Sequence, residues 1–256
     1  MLEAEGLAKR YGDVWAVRDV SLSLRAGECL VLLGRNGAGK TTALRCLAGV
    51  VKPSAGRITI DGIDAATDPV AVRARVGLMP EVPGLYERMS ARAYLDYFGA
   101  VYGLQQSERR RRIVALLDDF ELSHVGDRWL GTFSKGMRQK VALIRATLHR
   151  PRLILADEPT SALDPASAAN AWRYLKELQA AGSGLVICTH SMEEAESPAG
   201  RVGIMAGGQL LAEGDLAVLR RRSGLKLRKE VRQLPTLQDI YLAIVGTELD
   251  DQAESA

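Results

Sequence analysis

The sequence has few cysteines, little net charge and no long apolar run. Its three cysteines form no CxxC pair and leave an odd count, so no paired-cysteine site is indicated. Cys29 and Cys188 lie inside apolar segments, where a buried free thiol is the usual state, and we therefore expect a reducing cytosol. A net charge of +3 over 256 residues gives no reason to expect a nucleic acid as partner.

No stretch reaches the roughly 18 consecutive apolar residues that a membrane-spanning helix needs. The amino terminus, Met1 to Glu5, has neither the basic nor the apolar region of a signal peptide. We therefore expect any membrane role to come through a separate chain.

A glycine-rich loop is the most informative segment that is present. Residues 34–41 read Gly-Arg-Asn-Gly-Ala-Gly-Lys-Thr and follow the apolar run Leu30–Leu33, which matches the G-x-x-x-x-G-K-[ST] phosphate-binding loop between a strand and a helix. The glycines let backbone N–H groups turn toward an anion, and the following helix adds its positive N-terminal dipole. Lys40 would contact the β- and γ-phosphates, while the Thr41 hydroxyl would ligate magnesium. The loop predicts binding of a nucleoside triphosphate by Gly34, Asn36, Gly37, Ala38, Gly39, Lys40, Thr41 and Thr42.

Two carboxylates end a second apolar run, Leu153–Ala156. An enzyme with this phosphate loop needs an acid at the tip of a neighbouring strand to hold magnesium, and Asp157 has that position. Glu158 is one residue further, where a carboxylate can orient or polarise the attacking water. We therefore predict Asp157 as a metal ligand and Glu158 as a catalytic residue.

The remaining patterns predict an α/β fold interrupted by a helical block. Alternating residues indicate short strands over 2–26, and helical periodicity dominates between residues 90 and 149. Other strands are predicted at 30–33, 57–60, 76–79, 153–156, 185–189 and 202–205, and helices at 40–50, 90–102, 107–119, 134–149 and 235–245. A helical block of about sixty residues thus lies within an α/β core.

Further motifs resemble those of the ATP-binding cassette (ABC) family. Residues 133–139, Phe-Ser-Lys-Gly-Met-Arg-Gln, look like its signature motif, which usually reads L-S-G-G-Q. Residues 161–164 match its D-loop, residues 76–81 its Q-loop segment, and His190 its switch histidine. Tyr11 matches the aromatic residue that stacks on adenine, with Trp15 as a rival. The resemblance covers roughly residues 2–215, and the segment 237–242 is similar to cassettes of the drug- and sodium-exporter branch.

The resemblance implies a P-loop NTPase (RecA-like) core with an N-terminal antiparallel β-subdomain and an inserted helical subdomain. It places an ATPase domain at 1–225, with the helical subdomain at about 85–150, and a helical tail at 226–256. Ser134 and Gly136 open a helix, where a hydroxyl and free N–H groups suit an anion. In the family this site faces the γ-phosphate bound by a second copy, so that two chains enclose two ATP molecules head to tail. His190 is expected to contact the γ-phosphate.

The sequence departs from the family pattern at several positions. Glu81 replaces the usual glutamine; a carboxylate can still ligate magnesium, although it adds negative charge beside the phosphates. We therefore predict Thr41, Glu81 and Asp157 as the metal ligands. Arg35 stands where many members have proline, and Lys135 and Met137 replace signature residues. None of these changes removes a group that hydrolysis needs.

The predicted function is the ATP-binding and ATP-hydrolysing subunit of an ABC exporter. Two copies would bind Mg-ATP and drive a separate transmembrane subunit from the cytoplasmic face of the membrane. Cassettes of DNA repair and chromosome maintenance are an alternative. They carry a long insertion, whereas only about fifty residues separate Glu81 from Ser134 in this sequence. Translation-associated cassettes usually have two sets of motifs in one chain, and sugar-type importer subunits usually add a regulatory domain. We expect neither a second set of motifs nor a regulatory domain here.

Overall fold

Two β-sheets form the framework of the computed structural model, which describes residues 1–196 and 200–224 together with Leu237, Ile240, Tyr241, Ala243 and Ile244. The smaller sheet is antiparallel, and its strand order is β2 (Val14–Leu24), β1 (Leu2–Tyr11), β4 (Ala55–Ile60) and β5 (Ile63–Asp64). The larger sheet has the order β10 (Gln209–Gly214), β9 (Arg201–Ala206), β3 (Cys29–Leu33), β8 (Gly184–Thr189), β7 (Leu153–Asp157) and β6 (Val76–Met79). Only β10 pairs antiparallel in this second sheet. The predicted α/β core with an N-terminal antiparallel subdomain is confirmed.

The described helices surround these sheets. They are α1 (Lys40–Leu47), α2 (Pro69–Ala74), α3 (Ala91–Val101), α4 (Gln106–Asp119), α5 (Lys135–Thr147), α6 (Pro165–Ala180), α7 (Met192–Glu196) and α8 (Leu216–Ser223). Six of them begin after a residue whose side chain accepts a hydrogen bond from the first turn, namely Asp68, Ser90, Ser134, Asp164, Ser191 and Asp215. Helices α2, α6, α7 and α8 and strands β5 and β10 were not predicted from the sequence pattern.

The central strands bring the motif residues to one edge of the larger sheet. All residues of β3, β7 and β8 are buried, because helices or the other sheet cover both faces. Leu33 pairs with Thr189, and Asp157 pairs with Cys188, so the three parallel strands end side by side. Asp157 is the last residue of β7, and the phosphate loop, Glu158 and His190 follow the three strand ends directly.

Alternate residues of β3 point into two different cores. Val31 and Leu33 belong to the core that contains the helical block, while Leu30 and Leu32 pack with α1 and the antiparallel sheet. The helix that follows the phosphate loop is thus held between the two sheets. A strand buried in this way fixes the position of the loop at its end.

The predicted helical block is formed by α3, α4 and α5 and touches the sheet closely at Gly77 in β6. A Cβ atom on Gly77 would overlap the carbonyl oxygen of Ala146 in α5, so only glycine allows this backbone approach. Within the block, Arg109 donates to Asp96 at 2.6 Å and its side chain is 12% exposed. This arginine therefore packs within the helical block and links α4 to α3.

The carboxyl-terminal helix is described at five residues. Leu237, Ile240, Tyr241 and Ile244 are helical and buried, and their spacing is that of one face of a helix. The remainder of the predicted helix 235–245, and most of the predicted tail 226–256, lie outside the described residues. Among the residues that are described, no helix is long and apolar enough to cross a membrane.

Candidate nucleotide-binding and catalytic site

A cavity of about 370 Å³ lies at the edge where the parallel strands end. Its floor is the phosphate loop with the start of α1, one wall comes from β2, and acidic side chains face the loop. The lining residues are Val14, Trp15, Ala16, Asn36, Gly37, Ala38, Gly39, Lys40, Thr41, Thr42, Glu81, Asp157 and Glu158. The fold therefore brings together most of the residues that the sequence predicts for nucleotide and metal.

The loop backbone has the shape that an anion site requires. Gly37 and Gly39 have φ angles of +84° and +98°, which glycine adopts without strain. A Cβ atom on Gly39 would also collide with the carbonyl oxygen of Ala16 in β2. Helix α1 begins after Gly39 with no side chain among the described residues capping it, so its first N–H groups remain available to a bound anion.

Lys40 folds back over the loop that precedes it. Its ammonium donates to the carbonyl oxygens of Gly34 at 2.5 Å and Arg35 at 3.2 Å, and the residue is only 6% exposed. Gly34 itself is buried and is not among the lining residues, and its N–H donates to the Thr189 carbonyl. The ammonium thus stands at the cavity floor as a fixed positive charge.

Negative charge collects opposite this lysine. The Thr41 hydroxyl donates to the Asp157 carboxylate at 2.6 Å. Burial raises the pKa of Asp157; the Thr41 hydrogen bond opposes this, and the negative charges of Glu81 and Glu158 add to it. A hydroxyl and carboxylates are the oxygen ligands that Mg²⁺ prefers. The donor set therefore fits magnesium, which would relieve the crowding of like charge.

Glu158 is held by groups on the neighbouring strand end. Its carboxylate accepts from the His190 N–H at 2.9 Å, lies 2.7 Å from His190 Nδ1, and accepts from the Thr189 hydroxyl at 3.1 Å. An ionised carboxylate only accepts, so the proton of this contact belongs to Nδ1. Glu158 also has a φ of +50°, an uncommon conformation for a residue other than glycine. Such a backbone geometry at a cavity wall is typical of a functional position.

Sequence reasoning missed the groups that support Glu158. The buried Gln139 side chain in α5 donates to the Glu158 carbonyl at 2.9 Å. The Thr189 hydroxyl also lies 2.7 Å from the Glu194 carboxylate. The position of Thr189 directly before His190 was the available signal, whereas nothing in the sequence pointed to Glu194.

The signature residues lie apart from the cavity of the same chain. Ser134 caps α5 by accepting from the Met137 N–H at 3.2 Å. A Cβ atom on Gly136 would lie 2.9 Å from the Ala162 carbonyl oxygen, which packs the start of α5 against the D-loop segment. The described residues that line the cavity include neither Ser134 nor Gly136.

The two aromatic candidates differ in position. Trp15 lines the cavity, whereas Tyr11 is not among the lining residues. Tyr11 pairs with Val14 across the hairpin turn and is 48% exposed, so it stands beside a residue of the cavity wall.

Comparison with known proteins identifies this arrangement. The family model described as ABC transporter matches residues 17–161. The chain belongs to the ABC transporter family. Its match begins in β2 and ends at the D-loop segment, and so contains the phosphate loop, the signature and the two carboxylates.

Relatives of this ABC protein include bacterial ATP-binding proteins. The ABC transporter ATP-binding protein NatA of Bacillus subtilis is 41% identical over 224 residues, which cover 86% of this chain and 91% of NatA. The daunorubicin resistance ATP-binding protein DrrA2 of Streptomyces coeruleorubidus is 37% identical over 83% of this chain and 66% of DrrA2.

Solved ABC structures share the fold. The structure of an ATP-binding subunit of an ABC transporter superposes with a TM-score of 0.88 at 33% identity, over 96% of this chain and 99% of that chain. The dimeric ATP-binding cassette MJ0796, in a post-hydrolysis state bound to ADP and Pi, gives a TM-score of 0.78 at 26% identity, over 84% of this chain and 99% of that chain. The protein is an ABC-type ATPase.

Proposed function

We propose that this ATPase is the nucleotide-binding subunit of an ABC exporter, acting as a head-to-tail dimer that powers a separate transmembrane subunit. The observation that carries the proposal is the cavity in which Lys40 and Thr41 face Asp157 and Glu158. Relatives named for drug resistance and for Nod factor export support the exporter role. The subunit would then act at the cytoplasmic face of the membrane, held there by its partner.

The chain's own groups supply binding and proton chemistry. Bound magnesium, held by Thr41, Asp157 and Glu81, would neutralise charge on the phosphates. The loop backbone and Lys40 hold the phosphates. Glu158 accepts a hydrogen bond from the attacking water and so orients and polarises it. The nucleotide-binding set is Tyr11, Gly34, Asn36, Gly37, Ala38, Gly39, Lys40, Thr41 and Thr42, with Ser134 and Gly136 from the second copy.

His190 is proposed as the second catalytic residue. Its Nδ1 contacts Glu158, and 59% of its side chain is exposed. An imidazole that donates from Nδ1 to Glu158 and from Nε2 to the γ-phosphate carries both protons. His190 would thus join the carboxylate that acts on water to the phosphate that water attacks.

The separation of the two phosphate-binding motifs supports the proposed dimer. Ser134 and the start of α5 form an anion site that does not reach the cavity of the same chain. A second copy in reversed orientation would bring its Ser134 and Gly136 to the γ-phosphate. Dimeric solved cassettes of the same fold support this arrangement.

The proposed base-stacking residue is Tyr11, with Trp15 as its competitor. We expect Tyr11→Ala to weaken ATP binding by about 5- to 150-fold, because stacking contributes about 1–3 kcal/mol per base. Trp15→Ala should weaken ATP binding less, because Tyr11 and not Trp15 has the motif position of the base-stacking residue. Calorimetric titration of both variants with ATP tests this, and the reverse order of affinities would assign the base to Trp15.

The membrane partner is proposed to dock beside the segment 81–86. Val82, Tyr86 and Tyr97 are 79%, 51% and 49% exposed, and the Tyr86 and Tyr97 rings lie 6.3 Å apart. Large exposed apolar groups that cluster in this way are typical of interaction sites.

Co-expression with the membrane protein of the neighbouring gene tests this proposal. We expect wild type to move to the membrane fraction, and Val82→Asp to reduce that association by about tenfold or more, as for an interface anchor. Val70→Asp, at a valine in α2 that is 67% exposed, is the matched control and should associate normally. A fully active particle that captures no membrane protein would contradict the proposal.

A further inference from the structure

A hydrogen bond joins the carboxyl-terminal helix to the phosphate loop. The backbone N–H of Arg35, the second residue of the loop, donates to the Tyr241 hydroxyl at 3.2 Å across 206 positions of sequence. Tyr241 is 4% exposed. The phenol therefore reaches the loop from the interior of the protein.

Tyr241 is fixed by the core beneath the loop. Leu237 and Ile240 are completely buried, and Ile244 is 9% exposed. All three pack in the same core as Val31, which lies in the strand that leads into the loop. A side chain rooted among these neighbours has little freedom, so its hydroxyl is held at one place.

The peptide backbone of Arg35 connects this hydroxyl to Lys40. While its N–H donates to Tyr241, its carbonyl oxygen accepts from the Lys40 ammonium at 3.2 Å and from the Ala38 N–H at 3.1 Å. The Arg35 side chain is exposed and takes no part in these contacts. Loss of the Tyr241 hydroxyl would leave the Arg35 N–H without its acceptor, while the carbonyl oxygen of the same residue still holds Lys40.

We infer that Tyr241 is a positioning residue for the phosphate loop, through which the carboxyl-terminal helix sets the affinity for the nucleotide phosphates. The inference rests on the proposed role of Lys40. The Tyr241 hydroxyl acts on the part of the loop that binds phosphate, and among the described residues it makes no hydrogen bond to Glu158. Its removal should therefore raise KM for ATP and leave kcat within about twofold.

The test compares two substitutions in the full chain, each of which removes one phenol hydroxyl. Tyr241→Phe should weaken ATP binding about three- to tenfold, as expected for one lost neutral hydrogen bond, and should accelerate hydrogen exchange at the Arg35 amide. Tyr174→Phe removes a similar bond, to Thr147 at 3.3 Å, beside the amino ends of β7 and β8, and should leave both readouts unchanged. Equal ATP affinity of Tyr241→Phe and wild type would overturn the inference.

A double-mutant cycle gives the second test. Arg35→Pro removes the donor, since proline has no N–H, and in that background Tyr241→Phe should have no further effect on ATP affinity. The same loss in both backgrounds would show that the phenol acts through packing and would overturn the inference. If Arg35→Pro unfolds the chain, the Tyr174 comparison and the Arg35 amide exchange decide alone. A wild type that fails to bind ATP would instead remove the proposed function.

Discussion

Replacing Glu158 with glutamine is expected to stop ATP turnover while ATP binding survives. The amide keeps the size and hydrogen-bonding reach of the carboxylate but removes the charge that polarises water. A general base typically contributes about 10²–10⁴-fold, so phosphate release should fall by at least two decades. ATP that is bound but not cleaved should keep Ser134 of each copy at the nucleotide of the other, and the variant should accumulate as a dimer.

Phosphate release and size-exclusion chromatography with and without ATP measure these effects. Glu177→Gln, at an exposed carboxylate on α6, is the matched control. It should retain activity and should not accumulate as a dimer with ATP. Turnover near the wild-type rate would remove Glu158 from the catalytic residues. An inactive variant that never dimerises with ATP would contradict the head-to-tail arrangement.

Replacing Lys40 with alanine is expected to lower ATP affinity by about two orders of magnitude. The change removes a charged donor aimed at the phosphates, and such bonds are worth about 1.5–3 kcal/mol each. It also leaves the Gly34 and Arg35 carbonyls without their ammonium donor. The loop should therefore lose both its charge and part of its internal support.

ATP titration together with thermal unfolding separates affinity from stability. Lys176→Ala, at an exposed lysine on α6, should bind ATP as the wild type does. A folded Lys40→Ala protein with unchanged ATP affinity would show that the loop is not the phosphate site.

The residues at the strand ends were the easiest part of the site to predict. Strands β3 and β7 are buried on both faces, so their sequences are nearly continuous apolar runs. A glycine loop or a pair of carboxylates directly after such a run marks the edge at which the strand ends. This is why the loop, Asp157 and Glu158 could be placed together before the fold was known.

Elements and contacts with weaker local signals were not predicted. Strand β10 pairs with β9 at the end of the sheet and is only partly buried, so it carries no clear apolar run. The bond between Arg35 and Tyr241 joins positions that no spacing rule connects. Likewise, local motifs favoured Tyr11 over Trp15, although the arrangement of the hairpin gives Trp15 the place in the cavity wall.

The close contact at Gly77 affects which positions a genetic screen for inactive variants would find. Helix α5 spans 13 residues, about 20 Å, from the signature serine to the point where its backbone meets β6. Any side chain at position 77 would push that end of the helix outward and tilt the other end. A screen for inactive alleles should therefore find substitutions at position 77 as well as in the phosphate loop, although Gly77 takes no part in the chemistry. Substitutions at position 77 should lower the abundance of the protein, and this would distinguish them from substitutions in the loop.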